Sequence, residues 1–177
     1  MNKEDIKKLL DKVVNYRGVV INDFISIEAM IGAIIAIYFA KEDKNNEFNR
    51  KVIDDEYFSF GLKINIIEKL NFDVYKEFIE DIRRINKIRN IFAHSVPTLD
   101  GGLSYYNKNK GEREFRKLEE LHDEFLKKLL PVDEQLKKIF SKLVEENRRR
   151  NKDDGSWKYI FILEFEWWQS GTEAFAV

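Results

Sequence analysis

An all-α fold, a helical bundle with a short extended or strand-like C-terminal tail, is what this sequence predicts. Three observations lead there. The 177 residues contain only 8 Gly and 2 Pro, the two strongest interrupters of helices. Apolar residues recur at i, i+3, i+4 and i+7 through most of the chain. Strict alternation appears only near the end, from Trp157 to Trp168.

The bulk properties bound the function. With 44% hydrophobic and 36% charged residues the profile is that of a soluble globular domain able to bury a core. The net charge of −1 gives no global basic field, which argues against a conventional DNA-binding protein but leaves a local basic cleft open. Absence of cysteine excludes disulfides and thiol catalysis, and a cytoplasmic location is expected. Two histidines, His94 and His122, make too poor a ligand set for zinc, so no metal and no cofactor are expected.

Taken in order, residues 3–16 carry Ile6, Leu9, Leu10, Val13 and Val14 at helical spacing, and Gly18 is expected to break or kink the chain. Val19–Phe39 is expected to be the core helix. Its most hydrophobic run, Phe24–Ala40, is shorter than a membrane span of about 20 residues and carries Glu28, so a buried helix is expected and no membrane. Glu28 points from an apolar surface between Phe24, Ile25, Ile31 and Gly32, and it needs a cation. Lys41–Glu56 suits a loop with a short helix near Phe48–Ile53, and Ser59 suits the N-cap of a helix over Phe60–Leu70. On that helix Lys63 shares a face with Phe60, Ile67 and Leu70, either snorkelling to solvent or standing as a second phosphate-facing cation.

A helix capped by Asp73 and stopped by Pro97 follows. Tyr75, Phe78, Ile82, Ile85, Ile88 and Phe92 form its apolar stripe, and Arg89 falls in the middle of it. A guanidinium keeps its charge there and must find an acceptor or a wet cleft. Asn86, Asn90 and His94 step along a polar edge beside the stripe, so a fixed cation, a carboxamide and a titratable imidazole share one helix end. Thr98–Gly111 is expected to be a loop whose Tyr105 and Tyr106 either pack on the bundle or stack on bases. Glu114–Leu130 is expected to be a charged helix with His122 beside its inner face as a packing residue, and Pro131 to begin a further helix ending near Asn151. Arg148–Arg150 form a solvated basic end or a backbone-contacting patch.

The residues Arg89-Asn90-Ile91-Phe92-Ala93-His94 resemble the R-x4-6-H signature of HEPN domains. Asn after Arg and Ala before His look closest to the mannitol operon repressor-like branch, and Phe58–Ile64 resembles the segment that precedes the motif helix there. The resemblance spans roughly residues 15–150. It implies a HEPN-like helical domain over 1–154; the tail over 155–177 lies outside it, and the apolar face of its alternation is expected to dock on the bundle or on a dimer partner. It also implies a homodimer whose Arg and His line a shared cleft, and a metal-independent endoribonuclease or RNA-binding toxin or defence protein. Arg89, His94 and Asn90 would then be catalytic, with Glu28 holding Arg89 and Lys63 assisting. The alternative is a non-catalytic regulatory or scaffold protein of the mannitol operon repressor type. A third reading is a toxin with a separate antitoxin partner.

Overall fold

The longest helix, α1, spans Lys3–Phe39 without interruption. The expected break at Gly18 does not occur. The glycine sits on an exposed side of the helix with open space around it, and its intrinsic cost of about 1 kcal/mol is outweighed by one continuous buried stripe of Val13, Val20, Phe24, Ile27 and Ile31. By length and composition α1 could cross a membrane, and half of its most apolar window is buried against the rest of the fold.

The computed structural model describes residues 3–39, 45–53, 55 and 58–150. The alternating tail expected at 155–177 lies outside them. The chain falls into two units, Met1–Phe140 and Ser141–Val177. The described residues of the second are helical, and Arg149 pairs there with Glu145 at 2.5 Å.

In the first unit, a short α2 (Asn45–Phe48) runs into a π-helical turn (Asn49–Ile53). Helix α3 (Phe60–Lys69) starts as expected, with Ser59 Oγ accepting from the Leu62 amide at 3.4 Å. Helix α4 is Phe78–His94, starting four residues later than the capping argument predicts. Its N-cap is Glu77, and Asp73 instead uses its carbonyl to accept from Gln135 Nε2 at 3.1 Å.

The expected all-α architecture needs correction here: the fold is mainly helical but includes a three-stranded antiparallel sheet. Strand β1 is Val96–Pro97, β2 Gly102–Asn107 and β3 Glu112–Lys117. The stretch expected to be a loop is therefore a hairpin, and the first residues expected in the next helix are its return strand. Both reversals rest on glycines with positive φ, Gly101 at 83° and Gly111 at 70°. The β2–β3 turn is further closed by Asn107, whose Oδ1 and carbonyl accept from the amides of Asn109 and Lys110 at 3.0 and 3.2 Å.

Helix α5 then runs from Leu118 to Arg150, through Pro131. Pro131 was expected to open a new helix. It costs an intrahelical bond, yet Leu121 and Phe125 before it and Val132 and Leu136 after it are all fully buried, so packing on both sides keeps the helix continuous.

Contacts fix the directions. Lys12 meets Glu119 and Tyr16 stacks on His122 with ring centroids 4.2 Å apart, so α1 and α5 run parallel. Phe24 meets Phe60 and Glu28 meets Lys63, so α3 runs parallel to α1. Arg17 reaches Ser95 while Phe24 meets Arg89, so α4 runs antiparallel to α1. The sheet is tied to the helices through Glu124 of α5, which accepts from Arg84 of α4 and from Arg116 of β3. Arg84 draws the Glu124 carboxyl below the usual range, against the opposing effect of partial burial.

Candidate functional site at the end of α4

Helix α4 buries Phe78, Ile82, Ile85, Ile88, Ile91 and Phe92. That face fixes the rotation of the helix and therefore where its polar residues go. Asn90 and His94 are exposed, Asn86 and Arg89 half-buried. Five residues at 100° each set Arg89 and His94 about 140° apart around the axis. Arg89 faces α1, while His94 faces solvent at the last turn, where the Ser95 amide closes on the Ile91 carbonyl at 2.9 Å and the chain turns extended into β1.

The Arg89 guanidinium lies over the Phe24 ring, its Cζ 4.2 Å from the centroid. A cation in that position is attracted by the ring's quadrupole by about 0.5–2 kcal/mol. The expected pair with Glu28 is not formed. Glu28 accepts from Lys63 Nζ at 3.0 Å instead, and among the described residues no ion pair joins Arg89 to any carboxylate. The physical reason is register: Glu28 lies one helical turn beyond Phe24 on α1, level with Lys63 of the parallel α3, whereas Arg89 is level with Phe24 itself. Lys63 is correspondingly not a free cation. Only 6% exposed, it neither snorkels outward nor stands free for a phosphate, because its charge is matched by Glu28.

A second arginine enters from α1. Arg17 Nη2 donates to the Ser95 carbonyl at 2.6 Å, immediately after His94. This bond holds the end of the motif helix against α1. Sequence reasoning passed over Arg17, although the signal was present. Its helix neighbours at i−4, i+3 and i+7 are Val13, Val20 and Phe24, all buried, so Arg17 interrupts an apolar stripe in the same way as Arg89 does.

Four buried side-chain atoms have no hydrogen-bond partner among the described residues: Arg17 Nε, Asn86 Oδ1, Arg89 Nε and Ser95 Oγ. Three of them, on Arg17, Arg89 and Ser95, belong to the seam between α1 and α4, and Asn86 lies three residues before Arg89 on α4. Buried polar atoms are normally paired within the protein or with water, so these unmatched atoms set the seam apart from the paired buried charges of Lys63 and Asp81. The other half-buried arginines, Arg84 and Arg116, are matched by Glu124. The seam thus carries two arginines with no carboxylate ion pair among the described residues and a hydroxyl, with the Asn86 carboxamide further back on α4 and Asn90 and His94 exposed on the same helix. Such a group can bind an anion and move a proton beside it.

Among the described residues no three or more His, Asp or Glu side chains are grouped to hold a metal ion. Comparisons with protein-family models, with curated proteins and with solved structures found no match.

Proposed function

We propose that this chain is a HEPN-like protein that acts on RNA as a homodimer, as a metal-independent endoribonuclease. The observation that carries the reading is the pair Arg17 and Arg89, held along the α1–α4 seam without carboxylate partners among the described residues, next to an exposed His94. In the proposed reaction His94 takes the proton from a ribose 2′-OH. The oxygen attacks the adjacent phosphate, the P–O5′ bond breaks with the departing 5′-oxygen taking a proton from water, and a 2′,3′-cyclic phosphate results. Arg89 and Arg17 match the charge that builds on the phosphoryl oxygens, and Asn90 orients His94 or the phosphate. Lys63 and Glu28 fix α3 to α1 behind the seam. The angle of about 140° between Arg89 and His94 favours a site completed by two copies, one supplying the arginine side and the other the imidazole.

The test is incubation of the purified chain with mixed RNAs in EDTA beside a His94→Ala variant. Cleavage that leaves 2′,3′-cyclic phosphate ends, spares DNA and is lost in the variant is the expected result. Activity unchanged by His94→Ala, or dependent on added magnesium, refutes the mechanism.

One observation favours a second reading, the non-catalytic scaffold. Arg89 packs its guanidinium on Phe24, a contact that stabilises the α1–α4 interface without any substrate. No cleavage of any RNA, with Arg89→Ala lowering thermal stability, is the outcome that selects it.

A further inference from the structure

The sheet that follows His94 sorts its side chains in a way that the ribonuclease reading leaves unused. Register places Gly102 opposite Lys117, Ser104 opposite Phe115 and Tyr106 opposite Arg113. Directly paired residues point to the same side of a sheet. One face therefore carries Lys117, Phe115, Arg113 and Tyr106 around the small residues Gly102 and Ser104. The opposite face carries Leu103, fully buried, and Tyr105, whose hydroxyl donates to Glu114 at 2.6 Å. Both acidic residues of β3, Glu112 and Glu114, fall on that opposite face.

The first face is turned to solvent. Tyr106 is 59% and Phe115 45% exposed. The Phe115 ring leans across the sheet onto Gly102 and occupies the space that a Cβ there would need. Arg113 leans the same way, its Nε donating to Ser104 Oγ at 3.1 Å. The result is a row of Phe115 ring, Arg113 guanidinium and Tyr106 ring, with Lys117 at its end. At that end Glu120 of α5 lies 3.5 Å from Lys117. Val96 joins this face opposite Ser104, two residues after His94, so the row begins within about 7 Å of chain from the imidazole.

We infer that this face is a stacking platform for single-stranded RNA, which it delivers to the site at the end of α4. Exposed rings interleaved with cations, with both acids of β3 on the opposite face, fit unpaired bases and their phosphates. A duplex hides its base faces and offers nothing for the rings to stack on. The inference rests on the ribonuclease reading for its substrate, and it assigns Tyr106, not Tyr105, as the base-contacting ring.

The experiment uses the full chain carrying His94→Ala, so that no cleavage intervenes. Anisotropy of a short fluorescein-labelled oligouridylate reads binding, with the same strand annealed to its complement as the duplex probe. Tyr106→Ala is expected to weaken single-strand binding about tenfold, Tyr106→Phe to keep it, and Arg113→Ala to lower the salt slope by about 0.7. Phe115→Ala is read beside a circular-dichroism melt, because that ring also covers Gly102. Single-strand binding untouched by both Tyr106→Ala and Arg113→Ala overturns the platform, and so does tighter binding of the duplex. A change in sedimentation caused by Tyr106→Ala, with RNA binding intact, also overturns it and makes the face a protein interface. The two readings separate cleanly. RNA cleavage in the parent with KM unaltered by Tyr106→Ala refutes the platform alone. Tenfold weaker binding in a chain that cleaves nothing upholds the platform and refutes the chemistry.

Discussion

Replacing Glu28 by Gln tests how α3 is held to α1. The Lys63 side chain is 8% exposed and its ammonium lies 3.0 Å from a carboxylate that is 32% exposed. At an effective dielectric near 20 the attraction at that distance is about 5 kcal/mol, before the desolvation of both ions is subtracted. Removing one partner of a fully buried pair costs about 3–5 kcal/mol, because the other charge is stranded. Here the open side of Glu28 lets water reach the ammonium, so about 2–3 kcal/mol is expected for Glu28→Gln. For a chain of this size that corresponds to a fall in Tm of roughly 5–10 °C. Lys63→Met should be milder, about 1 kcal/mol. The thioether chain refills most of the stem's volume, and the Glu28 carboxylate left behind rehydrates. The double variant should lose less than the sum of the two singles. Urea unfolding followed by circular dichroism measures all three. A Glu28→Gln protein within about half a kcal/mol of the parent would show that the pair is not what fixes α3 to α1, and the argument from burial would fail.

Two further outcomes follow from the same packing. Burial raises the pKa of Asp23 above the ordinary carboxylate value, with Asp133 adding to the rise and His122 opposing it. A carboxyl whose folded pKa is raised favours folding while it is protonated and loses that contribution as pH rises through the folded value. Asp23→Asn should therefore raise Tm at neutral pH and have little effect near pH 3, as thermal melts across pH would show. Gly102→Ala places a Cβ 2.2 Å from the Phe115 ring and 2.8 Å from the Arg116 carbonyl oxygen. It should cost about 1–3 kcal/mol, and adding Phe115→Ala should recover only part of the loss in a denaturant titration, because the backbone clash remains.

Much of the helical skeleton was legible because period and caps agree there. Ser59 before Phe60 and the stripe from Phe78 to Phe92 are local signals, and local structure obeys them. Gly18 and Pro131 misled because breaker propensities of about 1 and 3 kcal/mol are small beside stripes that bury four or more apolar side chains on one helix face. The hairpin was missed because Glu112–Lys117 reads equally well as the start of a charged helix. Its alternation becomes visible only when Gly101 and Gly111 are recognised as paired reversals. At the site, a charge on an apolar stripe was enough to single out Glu28 and Arg89. Their partners depend on the axial register of α1, α3 and α4, which no local pattern encodes. Two cations, Lys63 and Arg89, were available to Glu28, and the parallel placement of α3 decided between them.

The long reach of α1 sets an order for events during synthesis. Glu28 finds Lys63 after 35 residues, Arg17 finds Ser95 after 78, and Lys12 finds Glu119 only after 107. A nascent chain grows from its N-terminus at about 5–20 residues per second, so α1 is made seconds before its last partner. Throughout that interval the most apolar helix of the protein lacks its cover, and closure of contacts so distant in sequence is slow. The end of α4 is pinned by Arg17 before α5 is complete, but α1 is enclosed only when the stretch around Glu119 is free to fold. Aggregation and chaperone capture therefore compete with folding at one stage, the window between the emergence of α1 and the docking of α5.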